Sequence, residues 1–513
     1  MFDILIKNAN IVDGSGKKGY QGDIAVKDAK IAAMGKVEGE AKQIIDATGL
    51  TATPGFIDSH SHGDGSVLEM PDMDNIVLQG VTTIIGGQCG GSDAPCGKCD
   101  AKNYEKRKTV KDWFDALEQS GLGSNVVLLA GHSTIRDMVM GDLANRAPTA
   151  EEMEQMKALM AKCMDEGAKG MNLGIYYTPG AYATTDEIVE IGKVVGERGG
   201  VISSHIRSES VRLVESVEEM IEIARRTGAK TVVSHHKAAG GPNYWGRTKI
   251  TTKLIEEARE QGVPIWCDVY PYEACSTSLW ATFISPERQA LGKKKIAEML
   301  KTPEYRKEAR EWIEETFINH SWHEKGLSWC LMCGLNELSE LNGLRINEAA
   351  EKYGKDEFET LFDVLAANEC VGRGVLFTMN EEDVQNVISK PYAMIGSDGS
   401  VSRAPAHPRN YGTFPRAVSR FVRELKAVEF EEMIRKMTSL AAEVYDLDTK
   451  GLLEVGRDAD ICIIDADKYG PLSTFVEPGK PNVGVEYVLV NGVITVEHDK
   501  YNGALAGKPI RKA

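Results

Sequence analysis

A membrane-spanning helix needs roughly 18 consecutive apolar residues, and the 513-residue chain contains no such run. Basic charge is also short: 60 Lys and Arg stand against 76 Asp and Glu, a formal net charge of −16 that argues against nucleic acid as a partner. An anionic small molecule stays open, because one local Arg or Lys sets the field of a pocket. The opening residues, MFDILIKNANIVDGSG, lack a basic segment followed by an apolar core. They read as a strand and a turn rather than a signal peptide, so a cytoplasmic location is expected. Ten cysteines in such a chain are expected to be mostly reduced thiols. There is no internal repeat and no low-complexity segment. What is present is a chain with 42% apolar residues, enough for a sizeable core and more than one domain.

The two ends of the chain look alike. DILIKNANIVDGSG and GDIAVKDAKIAAMG near the start, and ICIIDAD and VEYVLVNGVITVEHD near the end, are β-rich with Asp-Gly and Asn-Gly punctuation. Asn491-Gly492 between two such runs predicts a type I′ hairpin. Residues 1–52 and 440–513 therefore predict one small β-sandwich domain built from both ends. The middle, 53–439, alternates short apolar runs with helical patterns. The runs are GFIDSH (55–60), TTIIGG (82–87), VVLLAG (126–131), AKGMNLGI (168–175), VISSH (201–205), TVVSHH (231–236), PIWCDVY (264–270) and AMIGSD (393–398). Continuous apolar strands alternating with helices imply parallel βα units, and eight of them predict an α/β fold of the (β/α)8 TIM-type barrel class. A charged, mostly helical insertion at about 275–390 separates the seventh and eighth strands and is expected to act as a lid or substrate wall.

The polar residues that stand out fall at the carboxyl ends of these strands: His60 and His62, Cys89, His205, His235 and Asp398. In a barrel those ends converge on one mouth. Strand alternation puts His60 and His62 on one face, and puts His235 and Lys237 inside while turning His236 away, so His236 is expected to be structural. His132, His320, His323, His407 and His498 are each expected to be ordinary hydrogen-bonded or surface histidines. Imidazoles, a thiolate and a carboxylate suit Zn²⁺, as one or two ions. Zinc lowers the pKa of a bound water to about 7, and a neighbouring aspartate can accept and return its proton. The constellation implies metal-assisted hydrolysis, with Asp398 as the general base and acid.

GFIDSHSH, the strand-end His205 and His235, and SDG at 397–399 resemble the amidohydrolase superfamily. GVTTIIGGQCG (80–90), SHHKAAG (234–240), DVYPYEA (268–274) and HPRNYGTFPR (407–416) resemble its D-aminoacylase branch, the N-acyl-D-amino-acid deacylases, across nearly the whole chain. The resemblance implies that His60, His62, Cys89, His205, His235 and Asp398 form the metal centre. It also implies that Arg409 clamps the substrate carboxylate and that Lys237 and Tyr177 are further substrate contacts. A planar guanidinium suits a carboxylate bidentately. The implied substrate is a small molecule with a free carboxylate, and the implied reaction releases a D-amino acid and a carboxylate.

Lys169 and Asn172 depart from the family pattern at the pocket floor. If Lys169 were carboxylated and bridged two metals, the chain would instead resemble a hydantoinase or dihydropyrimidinase, which opens cyclic amides. Cys89 is the preferred bridge, and Lys169 reads as a solvated lysine at a strand start. A metal-free amidohydrolase-fold scaffold is a further alternative, disfavoured because every expected ligand is present. Two Cys-x-x-Cys pairs, Cys96/Cys99 and Cys330/Cys333, are expected to be free thiols rather than a structural zinc site. Arg288 in the insertion reads as part of a solvated helix face, with selection of acidic side chains as the alternative.

Overall fold

The computed structural model describes residues 1–98, 101–141, 144–318 and 326–512. Cys99, His320 and His323 lie outside the described residues.

The middle of the chain is an α/β arrangement of parallel strands. Phe56–Asp58, Val81–Gly86 and Asn125–Leu128 form one parallel sheet. Ala130–Gly131, Gly170–Gly174, Val201–His205, Lys230–Val233, Ile265–Val269 and Ala393–Ile395 form a second, paired in that order. The sheets abut at Leu129, which alone separates two strand segments. At the other edges Ser59 N–H donates to Ile395 O (3.3 Å), Asp398 N–H to His60 O (2.8 Å) and His62 N–H to Gly399 O (2.6 Å), so main-chain bonding runs on from the last strand to the first. Most of these strands are buried along their whole length, as expected for strands covered on both faces.

Helices form where apolar residues recur at three- and four-residue spacing, several of them behind a capping side chain. Leu213–Thr227 buries Leu213, Val217, Met220, Ile221 and Ala224 on one stripe and ends at Gly228, whose φ of 66° admits the left-handed turn. Thr149 and Glu152 cap Ala150–Asp165 reciprocally, and Thr184 caps Thr185–Glu197 through the Glu187 N–H. Among the described residues, no helix is long and apolar enough to cross a membrane.

Both ends of the chain join one nine-stranded sheet. Thr51–Pro54 pairs parallel with Phe2–Ile11 and antiparallel with Ile461–Ile464, and Ile4, Ile6, Ile24, Ile461 and Leu489 fill one core. The Asn491-Gly492 turn has φ of 48° and 79°, as a type I′ hairpin requires, between Val485–Val490 and Val493–Glu497.

The insertion is helical over Leu279–Phe283, Lys293–Met299, Pro303–Ile313, Ile346–Tyr353 and Glu357–Ala367, around its own core of Leu279, Phe283, Trp329 and Phe362. It also contains an antiparallel sheet of Cys275–Ser278, Arg373–Leu376 and Cys330–Cys333, which the charged, helical pattern did not announce. Each strand has four residues, too few for a period to show in the sequence.

Candidate metal centre and substrate cavity

All six candidate ligands meet at the carboxyl ends of the parallel strands. The Cys89 thiol lies 3.6 Å from His60 Nε2, 3.7 Å from His205 Nδ1 and 3.4 Å from His235 Nε2. Asp398 Oδ1 lies 3.1 Å from His62 Nε2 and 3.8 Å from His60 Nε2. His60 thus joins a sulfur-centred group to a carboxylate-centred one, and atoms of His60, Cys89, His235 and Asp398 lie within 4.8 Å of one another. Bonds of about 2.3 Å to sulfur and about 2.0 Å to nitrogen at a tetrahedral angle would separate S and N by about 3.5 Å, so the donors fit a zinc ion by spacing as well as by chemistry. Burial would raise the Cys89 thiol pKa, but His235 and His60 hold it well below the usual value, which favours the thiolate. Burial likewise opposes ionisation of Asp398, and Arg409, then His235, overcomes it.

The strands are shorter than the apolar runs suggested. Val81–Gly86 stops before Cys89, Lys230–Val233 before His235 and Ala393–Ile395 before Asp398. Each of these three residues has positive φ: 53°, 35° and 51°. Such backbone costs of order 1–3 kcal/mol per residue and persists where the surroundings enforce it. His235 therefore faces the site through a strained turn, not through strand alternation. His236 does turn away, hydrogen-bonded to Thr251 Oγ1 at 2.8 Å. Asn172 fixes the Cys89 turn: its Oδ1 accepts from Gly90 N–H (2.6 Å) and its Nδ2 donates to Gly91 O (3.1 Å) and Leu129 O (3.1 Å). Gly174 has no side chain because a Cβ there would lie 2.0 Å from Cys89 O.

Three acids that the sequence reading missed surround the histidines, through ring nitrogens or main-chain N–H groups. Glu209 lies 2.9 Å from His235 Nδ1 and 3.8 Å from His205 Nε2, and accepts from Lys237 Nζ (2.5 Å). Asp268 accepts from His235 N–H (2.6 Å) and stands 3.5 Å from His60 Nδ1. Asp58 accepts from His60 N–H (3.2 Å) and Ser397 N–H (2.7 Å), and burial pushes its carboxyl up to about 6. Asp58 and Asp268 were findable as acids inside apolar strand runs. Glu209, in the loop IRSES, left no comparable signal.

A cavity of about 870 Å³ opens beside the cluster and is lined by His62, Cys89, Tyr177, Lys237, Asp398 and Arg409 among others. Arg409 is 2% exposed, with Nη1 2.7 Å from Asp398 Oδ2. Among the described residues neither its Nε nor its Nη1 finds a well-aligned hydrogen bond, so the buried fork has donors to spare. His407 supports it by accepting from Arg409 N–H (3.0 Å). Tyr177 OH lies 3.1 Å from Thr277 Oγ1, and Lys237 also donates to His235 O (2.8 Å).

Other expectations sort away from the site. Lys169 donates to Asp446 O (2.9 Å) at the amino end of its strand, far from a bridging position. His132 pairs with Glu187, and His498 with Glu486. Cys330 and Cys333 stand on the insertion sheet, whereas Cys96 lines a separate cavity, and among the described residues no metal-binding group includes them. Arg288 pairs with Glu308.

A model of the amidohydrolase family matches residues 43–246 and 338–496. The chain belongs to this amidohydrolase family. This amidohydrolase is 33% identical to D-aminoacylase from Alcaligenes xylosoxydans xylosoxydans, over 100% of this chain and 98% of that protein. Among solved structures it matches N-acyl-D-glutamate deacylase from Bordetella bronchiseptica, complexed with zinc and a phosphonate inhibitor, at a TM-score of 0.85 and 32% identity over 100% of both chains. A D-hydantoinase from Thermus sp. matches at a TM-score of 0.55 and 15% identity, over 99% of both chains, a likeness of fold alone.

Proposed function

We propose that this amidohydrolase is a zinc-dependent deacylase that hydrolyses the amide of N-acyl-D-amino acids to a carboxylate and a free D-amino acid. The observation that carries the reading is the thiolate-and-imidazole cluster beside the buried, under-bonded Arg409 in one cavity. His60, His62, Cys89, His205, His235 and Asp398 are the proposed ligands, for one or two ions. Zinc held there supplies Lewis-acid polarisation of the amide carbonyl and an acidified water.

The chain's own groups do the rest. Arg409 receives the α-carboxylate through its fork, which presents one amide to the cluster and sets which bond is cut. Asp398, kept ionised by Arg409, takes a proton from water and returns it to the departing amine. Lys237 neutralises Glu209, so that acid orients His235 without competing for the site's cations. Tyr177 walls the substrate side of the cavity. The D configuration is taken from the relatives.

The same reading extends to architecture. Residues 53–439 form a closed (β/α)8 barrel, supported by the bonding from Ile395 to Ser59 and from Asp398 to His60. Residues 1–52 and 440–513 form the small β domain, and about 275–390 the insertion that walls the cavity. The test is amine release from paired N-acetyl-D- and N-acetyl-L-amino acids by zinc-loaded protein, with hydantoin and dihydrouracil alongside. Turnover of the D series without ring opening is expected, and ring opening without deacylation would overturn the reading.

A further inference from the structure

The cavity holds a second guanidinium. Arg373, first residue of the insertion strand Arg373–Leu376, lines it and remains accessible there. Its Nη2 donates to Ser276 O at 3.4 Å, and Arg409 Nη2 donates to the same oxygen at 3.3 Å, so the two positive groups sit side by side. Among the described residues no carboxylate pairs with Arg373. Its neighbours in the insertion differ: Arg288 pairs with Glu308, Arg306 with Glu359 and Asp363, and Arg310 with Glu314 and Asp356. Asp398, the acid nearest this pair, is already committed to Arg409 and His62.

Two adjacent cations sharing one neutral carbonyl repel each other, and for Arg409 burial adds to the cost of its charge. An anion against each guanidinium removes both penalties. One carboxylate, held by Arg409, leaves Arg373 unmatched. The shared anchor at Ser276 means the second anion must lie close to the first, separated by a spacer of two or three carbons. An aspartate or glutamate side chain has that reach. A carboxylate on the acyl group lies across the scissile amide, whose carbonyl must turn the other way, toward Cys89 and the histidines.

We propose that Arg373 is a specificity-determining residue that receives a side-chain carboxylate, so that the preferred substrates are N-acyl derivatives of acidic D-amino acids. This rests on the deacylase reading above and narrows it. A site built around a charged group discriminates strongly against a neutral isostere, because its own charge is then left unpaired.

The test compares isosteres. The ratio of kcat/KM for N-acetyl-D-glutamate over N-acetyl-D-glutamine, or for the aspartate and asparagine pair, is expected to be at least tenfold in the wild type. It should fall at least tenfold in Arg373→Met and be partly kept in Arg373→Lys, where a cation remains. A wild-type ratio near one for both pairs, or a ratio that Arg373→Met leaves unmoved, would overturn the proposal while the deacylase reading stands. A preference for N-succinyl- over N-acetyl-D-leucine that Arg373→Met abolishes would place the carboxylate on the acyl side and overturn it too. Calorimetric binding of free D-glutamate against D-glutamine separates the two levels. Tenfold tighter binding of D-glutamate, lost in Arg373→Met, would uphold the carboxylate seat even if no N-acyl substrate turned over. Equal binding would remove it.

Discussion

The two ends of the parallel strands treat their polar groups in opposite ways. At the amino ends, lysines are tied down by neighbouring oxygens. Lys169 donates to Asp446 O (2.9 Å), Lys230 to Glu443 O (2.8 Å) and Asp446 Oδ1 (2.6 Å), and the buried Lys436 to Ala393 O (3.3 Å) and Lys390 O. At the carboxyl ends, His60 Nδ1 and Arg409 Nε have no hydrogen-bond partner among the described residues, and Cys89, His235 and Asp398 hold strained backbone. One end satisfies its donors from within the chain. The other keeps donors and strain in reserve, the pattern expected of a surface arranged around a ligand.

That contrast can be broken from either side, and the largest effect belongs to the proposed ligands. Cys89→Ala is expected to lower zinc content and to reduce kcat/KM by about a hundredfold or more, read by metal analysis and initial rates. Full zinc and full activity would mean that the sulfur at the cluster's centre is incidental. Glu209→Gln should follow at about ten- to a hundredfold in zinc affinity, because the carboxylate that orients His235 is weakened while its shape is kept.

The amino ends supply a pH signature. Burial pushes the Lys436 ammonium pKa down to about 8. Between there and the ordinary lysine value the unfolded chain binds more protons than the folded one, so this group's contribution rises with pH across that window. Its penalty, about 3 kcal/mol when fully expressed below pH 8, is relieved above the unfolded value. Urea midpoints at pH 7.5 and 10 should show that rise in the wild type relative to Lys436→Met, and parallel behaviour of the two proteins would contradict it. The smallest effect is expected from Lys169→Met: less than about a twofold change in kcat/KM, since its partner Asp446 O lies at the end away from the cavity. Loss of activity there would reverse the assignment of the two ends.

The sequence made one side of this contrast legible and hid the other. The meeting of His60, His62, Cys89, His205, His235 and Asp398 in one place was readable because chemically distinctive residues followed apolar runs. The parallel strands were readable for the same reason, although their ends were placed too late, since an apolar run does not reveal where φ turns positive. Glu209 and Arg373 were not readable. Each is a common charged residue in a polar segment, and only the folded chain brings Glu209 to His235 and Arg373 beside Arg409. The insertion sheet that carries Arg373 is built from four-residue strands far apart in the chain, below the length at which alternation shows.

The nine-stranded sheet has a consequence for how the molecule is made. Thr51–Pro54 takes Ile461–Ile464 as its antiparallel neighbour. During synthesis at roughly 5–20 residues per second, that edge waits on the order of tens of seconds for its partner to leave the ribosome. For that interval the nascent chain carries an unpaired strand edge, the feature on which wrong pairings form. The strands of residues 2–46 pair among themselves, so it is the joining of the two chain ends through Thr51–Pro54 that is an event at the end of translation.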